Sequence, residues 1–395
     1  MLIRDEDKRE TRFYSRVSRE ELKIDEAITK ALIKVDQIMD MYGDGFVSPV
    51  TSENRYLHSA NIGWTTGFWT GILWLSYELT MNPKYKQAAE KQVISFSDRL
   101  DQRVDLDHHD IGFLYSPSCV AANKITGDPG AREVALRAAQ HLYDARYEQQ
   151  AGIIRCWSGG KFDEDEYRFN MIIDSLMNMP LMEWAYEQTG HLEYRDAVQR
   201  HMTKAINHII REDASTFHVY VFDEKGKPKF GETAQGYSHS SCWSRGQAWG
   251  IYGLAINYSY TKDEHILKVA ERLAHYFLNR SPEDMVAYWD FEFTEGSGQL
   301  KDSSASAVAV CGLLELAKWV TNEEDKTYYR NAAEHIVKSL TENYASSPSS
   351  QDRCLLLHGV GSVPHDSGID EGNVFGDYYY LESLVRLKKD WNCYW

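Results

Sequence analysis

Pro83-Lys84-Tyr85-Lys86-Gln87-Ala88, Leu192-Glu193-Tyr194-Arg195-Asp196-Ala197 and Thr327-Tyr328-Tyr329-Arg330-Asn331-Ala332 are three copies of one pattern, an aromatic residue followed three positions later by alanine. Each opens a stretch of about five helical turns in which apolar residues recur at i, i+3 and i+4, the mark of a helix with one buried face. Weaker copies begin near Asp128, with Arg132 and Ala135, and near Asp263, with Leu267 and Ala270. The starts are roughly 45 to 70 residues apart, room for two helices and their connections, so the economical reading is a repeat of helical hairpins.

Between these copies stand segments of another composition, at 65–80, around 117–126, 169–190, 241–261 and 302–320, which are apolar on nearly every face. A helix of that kind has to be buried all round. With a first helix near 17–42 and a last near 377–391 the total is about twelve, alternately amphipathic and buried, or roughly 33 residues per helix. An inner and an outer ring of helices satisfies that alternation. The expected fold is all-α, an (α/α)6 barrel or toroid of six helical hairpins, with minor β-hairpins in loops near 217–222 and 285–293. No Pro/Gly/Ser-rich linker interrupts the series, so residues 1–395 read as one catalytic domain with a short N-terminal extension at about 1–16.

Charge and composition exclude whole classes of function. The chain has 43 basic and 59 acidic residues, a net charge of −16, and no Lys/Arg run, which disfavours nucleic acid and anionic membrane as partners. The first ten residues are charged rather than apolar, and no stretch approaches the ~18 apolar residues of a membrane span. Six scattered cysteines lack the close pairs of a zinc knuckle or a CxxC site. A cytoplasmic protein with reduced thiols is expected. The 11 Trp and 25 Tyr are a surplus that serves either core packing or sugar stacking.

Polar residues on inner helices are the informative ones. Asn170, Asp174 and Asn178 are four apart and form one polar stripe on an apolar segment, facing either water or the lumen. In the lumen, burial would raise the carboxyl pKa and suit Asp174 to general acid chemistry. Arg245, within Ser241-Cys242-Trp243-Ser244-Arg245-Gly246-Gln247-Ala248-Trp249, shares a helical face with Ser241 and Trp249 and needs an anion. That anion is either a protein carboxylate or one on the ligand. Asp110, in His109-Asp110-Ile111-Gly112-Phe113, precedes Ser116-Pro117, which reads as a helix cap and first turn. Together Asp110 and Asp174 supply the carboxylate pair that glycosidic chemistry commonly uses. Trp64, Trp69 and Trp157 stand before or at the starts of buried helices, where a ring can stack on a sugar.

At these motifs the chain resembles the unsaturated glucuronyl hydrolases, glycoside hydrolase family 88. The resemblance runs through Trp64, His109-Asp110, Gly152-Ile153-Ile154-Arg155-Cys156-Trp157, Asn170 to Asn178, His218 and Gln235-Gly236-Tyr237. It continues through Trp243 to Trp249, Asp302-Ser303-Ser304-Ala305 and Gly376-Asp377-Tyr378, covering about 20–390. It implies an (α/α)6 barrel that removes a Δ4,5-unsaturated glucuronic acid from the non-reducing end of lyase-generated, glycosaminoglycan-type oligosaccharides. The chemistry implied is protonation of C4 of the vinyl ether and addition of water at C5. By match of motif Asp174 is the general acid and base and Asp110 the second carboxylate. Trp64, His109, Trp157, His218, Gln235, Arg245 and Trp249 would surround the sugar, and neither metal nor organic cofactor is needed.

Three alternatives remain open on the sequence. Unsaturated rhamnogalacturonyl hydrolases share the toroid but typically show Arg-Gly-Asn-Gly-Trp where this chain has Arg245-Gly246-Gln247-Ala248-Trp249. A sugar epimerase or isomerase would place several histidines at the mouth, whereas only His109 and His218 stand in candidate positions. A non-catalytic toroid acting as a scaffold would leave the Asp174 stripe unexplained. Within 359–372, Ser362, His365 and Ser367 offer hydroxyl and imidazole groups but no Lys or Arg, which favours unsulfated or lightly sulfated disaccharides.

Overall fold

The computed structural model describes residues 9–395. Among them, twelve principal helices alternate between an outer and an inner ring. The outer helices are α1 (Ile24–Tyr42), α3 (Pro83–Asp101), α5 (Pro129–Arg146), α7 (Leu192–Lys204), α9 (Glu264–Arg280) and α11 (Glu323–Ser339). The inner ones are α2 (Thr66–Thr80), α4, α6 (Pro180–Thr189), α8 (Ser244–Thr261), α10 (Ser303–Trp319) and α12 (Val374–Lys388). α4 is composite: Ile111–Tyr115, a π-turn at Ser116–Val120, then Ala121–Thr126. The chain is thus an (α/α)6 toroid, as the alternation of helix types requires.

Local chemistry sets the outer helices. Asn82, Asp128, Asp263 and Asn322 cap α3, α5, α9 and α11 by accepting backbone N–H groups of the first turn, and Pro83 and Pro129 occupy first positions where no N–H is needed. Their buried residues fall on one stripe, as in α9, where Ile266, Leu267, Ala270, Leu273 and Ala274 face inward. Inner helices are enclosed instead: every residue of α8 from Ser244 to Tyr258 is buried. Close approach needs glycine at two places. A Cβ on Gly67 of α2 would meet Phe113 O at 2.3 Å, and one on Gly112 would meet Asn178 Cα at 2.4 Å.

Among the described residues, four small antiparallel sheets occupy the connections. They pair β1 (Phe46–Val47) with β2 (His58–Ser59), β3 (Tyr147–Glu148) with β4 (Ile153–Ile154), and β8 (Gly359–Ser362) with β9 (Ser367–Glu371); the largest orders β5 (Phe169–Ile172), β6 (Val219–Phe222) and β7 (Pro228–Glu232) side by side. Several sequence expectations are corrected here. Residues 169–190 are not one helix: Phe169–Ile172 is a strand, Ile173–Met177 a 3-10 turn, and the helix starts at Pro180. Pairing with the β-branched and aromatic Val219–Phe222 overrides the helical spacing. Ser116-Pro117 does not start a helix; α4 begins at Ile111, and the proline is accommodated where the π-turn has already changed the bonding pattern. Residues 217–222 pair with β5 and β7 rather than with 285–293, which contributes only isolated bridges. The first helix breaks at Lys23, whose φ is +45°, between Arg19–Leu22 and α1. Of the N-terminal extension, residues 1–8 fall outside the described residues; Thr11–Tyr14 forms one 3-10 turn whose fully buried Phe13 sets its ring edge-on to Tyr328 of α11.

Candidate active site

The β5–β6 ladder does more than decorate the toroid, because its register places Ile172 opposite Val219 and its next bond runs from Ile173 N–H to His218 O. Asp174 and His218 are brought together at the ladder's end. His218 Nε2 is 3.7 Å from Asp174 Oδ2, and His218 Nδ1 accepts the N–H groups of Ala234 and Gln235 at 3.1 and 3.2 Å. With Nδ1 an acceptor, the proton of the neutral ring has to be on Nε2, facing Asp174. Burial, then the charges of Arg245, His365 and Lys161, push His218 down to about 3.

Asp110 arrives from the other side. It is the residue before α4, and its carboxylate makes no cap bond, which leaves it free for the site. Gly112 lets α4 approach Asn178, whose Oδ1 accepts Phe113 N–H at 2.8 Å and whose Nδ2 donates to Asp174 O at 3.3 Å. That clamp joins the two acid-bearing turns. Asp110 and Asp174 keep only 11% and 8% of side-chain exposure. Burial raises Asp174 to about 7, against the pull of Arg245; burial and then the charge of Asp174 hold Asp110 well above the usual carboxylate range. His108 Nδ1 accepts Asp110 N–H at 3.1 Å, and His109 Nε2 is 3.2 Å from Asp110 Oδ1.

Next to these groups is a cleft of about 350 Å³ lined by Pro49, Val50, Trp64, Trp157, Phe162, Ala234, Gln235, Gly361, Ser362, His365, Ser367 and Phe375, of which Ala234 and Gln235 are the residues that hold His218. Trp64 stacks on Phe375, ring centroids 5.4 Å apart, and the His218 ring meets the Trp157 edge at 5.7 Å. Asn170 holds the Trp157 segment by accepting Trp157 N–H and donating to Tyr167 O. Asp377 does the same for the 355–362 segment, accepting Leu355 N–H, Leu356 N–H and Tyr56 O–H. An aromatic-lined cleft next to two buried carboxyls suits a sugar ring with one reactive edge.

The matches to known proteins agree with that chemistry. The model of Glycosyl Hydrolase Family 88 matches residues 34–388. The chain belongs to this family. It is 46% identical over 374 residues to an unsaturated chondroitin disaccharide hydrolase of Streptococcus pneumoniae, covering 94% of this chain and 93% of that one. An unsaturated glucuronyl hydrolase of a Bacillus species is 41% identical over 372 residues, covering 94% and 98%. A solved unsaturated glucuronyl hydrolase from Streptococcus agalactiae superposes with a TM-score of 0.93 at 44% identity, over 97% of this chain and 96% of that one.

Within this glycoside hydrolase several sequence assignments change. Asn170, Asp174 and Asn178 are all buried, yet they are not one helical face: strand, 3-10 turn and turn end carry one each. Ser241 precedes α8 and so shares no helical face with Arg245. Arg245 does not present a free fork to a ligand. Its Nη1 donates to Asp302 Oδ2 at 2.7 Å and to Val360 O, and its Nη2 to Gln235 Oε1 at 3.0 Å and Gly361 O at 2.6 Å. A buried guanidinium must be neutralised inside the protein, and Asp302, the cap of α10, does so. Trp249 is fully buried in the barrel, its ring 5.1 Å from Phe113 and 5.3 Å from Tyr379, instead of forming cleft wall. His109, also fully buried, supports Asp110 from behind rather than touching the cleft. The sequence reading missed Phe162 and Phe375, single aromatics without a spacing signal, and Asn178 as the clamp between the two acids.

Proposed function

We propose that the cleft hydrolyses Δ4,5-unsaturated glucuronyl saccharides by hydration of the vinyl ether, with Asp174 as general acid and base. The observation that carries this is a carboxyl raised to about 7 by burial, joined through His218 to the wall of an aromatic cleft, with a second buried carboxyl also raised well above the usual range. Protonated Asp174 gives its proton to C4, and positive charge develops across C5 and the ring oxygen. Water adds at C5 and returns a proton to the Asp174 carboxylate. The C5 hemiketal then opens to a ketone, which leaves C1 as a hemiacetal that releases the leaving sugar as an alcohol and becomes an aldehyde. One water is consumed, and Asp174 ends as it began. Asp110 is the second carboxyl and holds the sugar, and neutral His218 keeps its Nε2–H turned towards the site, 3.7 Å from Asp174 Oδ2, without competing for the acid's proton.

The substrate class is supported by the relatives. The Streptococcus pneumoniae protein is described as acting on unsaturated chondroitin disaccharide, and the one from Streptococcus agalactiae has been solved as an Asp→Asn mutant complexed with dGlcA-GalNAc6S. We place the protein in the bacterial cytoplasm, a reading supported by six cysteines of which none is paired. No helix among the described residues is long and apolar enough to cross a membrane. The test is a panel of lyase-made unsaturated disaccharides followed by ultraviolet absorbance. Loss of the C4=C5 chromophore with release of the second sugar is expected. Release of that sugar with the chromophore intact would mean ordinary glycosidic displacement and would reject the mechanism.

A further inference from the structure

None of the residues lining the cleft is a lysine or arginine, and Arg245 beneath it is already paired with Asp302. One flexible cation nevertheless stands at the rim. Lys161 Nζ lies 5.2 Å from the centroid of Phe162, a wall residue, and donates at 2.7 Å to Glu232 Oε1, at the end of the strand that leads into the wall residues Ala234 and Gln235. It spans two wall segments that are 71 positions apart in sequence. Its side chain is 43% exposed, against 8% for Asp174, so it stands nearer to solvent than the acid does, and a sugar linked to a uronate bound at Asp174 has to extend in that direction. Two glycines precede it with positive φ, Gly159 at +92° and Gly160 at +54°, and a Cβ on either would meet nothing within 4 Å; there the backbone conformation, not the space, favours glycine.

We infer that Lys161 is a specificity residue that reads a negative charge, such as a sulfate ester, on the leaving sugar. The inference rests on the proposed reaction. Only the lysine end of the pair is open to solvent, so the ammonium can keep Glu232 on one N–H and offer its others to a substrate anion. The residues that follow sharpen the effect. Asp163 turns back to accept Gly159 N–H, and Glu164, Asp165 and Glu166 are exposed. Without Lys161 the 163–166 stretch of this rim presents four acidic side chains in a row. The sequence segment 359–372 pointed away from sulfated substrates; the fold brings a cation to the same cleft from elsewhere.

Two unsaturated disaccharides differing only in a sulfate on the leaving sugar decide the matter. Turnover of the unsulfated one by the unaltered protein tests the proposed reaction by itself. Lys161→Met is expected to lower kcat/KM for the sulfated substrate roughly five- to tenfold, through KM, the range for a partly exposed charge contact. The unsulfated substrate should be unaffected, and Lys161→Arg should keep the preference. Glu232→Gln should improve the sulfated substrate by freeing the ammonium. Raising salt should erode the difference between Lys161 and Lys161→Met. Equal changes on both substrates, no change on either, or failure of the sulfated one as a substrate would overturn the inference.

Discussion

His218 Nε2 stands 3.7 Å from Asp174 Oδ2 while two backbone N–H groups hold its Nδ1. The imidazole is therefore fixed in one tautomer and kept neutral by burial, so it does not compete for a proton with Asp174, which burial raises to about 7. Asp174→Asn should preserve the fold and reduce kcat by about 10²–10⁴-fold, the usual worth of general acid–base catalysis. Steady-state rates beside a melting curve check both halves, and near-parental kcat would remove Asp174 from the role.

The same carboxyl makes a stability prediction with a definite sign. Its folded pKa, about 7, is above the unfolded value, so the folded state binds the extra proton and this group's burial becomes more costly as pH rises through that interval. Asp174→Asn mimics the protonated form. It should melt above the parent at pH 8, by up to about 4 kcal/mol, and the gap should close towards pH 4, where both forms are neutral. In the parent, kcat should fall as pH rises past about 7 while the acid deprotonates. A gap that grows on acidification would contradict the burial argument.

Arg245 contributes mainly through the framework. Its donors reach Asp302, Gln235 and the Val360 and Gly361 carbonyls, so Arg245→Lys loses the planar fork and leaves buried acceptors unpaired. Outright removal of one partner of such a pair costs about 3–5 kcal/mol; the lysine variant should lose less, visible as a lower Tm. The kinetic penalty should be the same on a uronate substrate and on its methyl ester. An ester penalty that shrinks in the lysine variant would restore Arg245 as a direct partner of the substrate carboxylate.

His201 on α7 is a brace for the acid. Its Nδ1 accepts Ile154 N–H at 2.8 Å, and its Nε2 meets Ser175 Oγ, next to Asp174, at 2.7 Å. Burial pushes this histidine down to about 3, so its contribution is complete above pH ~6.5 and is lost as pH falls towards 3. His201→Leu should cost about 1–3 kcal/mol for each polar group left unpaired, and the difference in Tm from the parent should narrow between pH 6.5 and 4. A constant difference across that range would mean that the loss is one of packing alone.

Helical periodicity is a local property, and it was enough to read the toroid: charged and apolar residues alternate over a few turns whatever lies across the barrel, and the caps at Asn82, Asp128, Asp263 and Asn322 are written beside the helices they start. Residue type likewise marked Asp110, Asp174, His218 and the tryptophans as candidates. What only the tertiary structure decided is which partner each of these meets. The spacing of Asn170, Asp174 and Asn178 fits a helix, but a β ladder formed with residues some 50 positions away claimed the first of them, because strand pairing is non-local. Arg245 needed an anion, and nothing near it in sequence could say that Asp302, 57 residues on, would supply it. Trp249 has the spacing of a wall residue and the depth of a core one. Periodicity reports which face of an element is buried, and partner choice depends on how distant faces close against one another, which is a property of the folded chain.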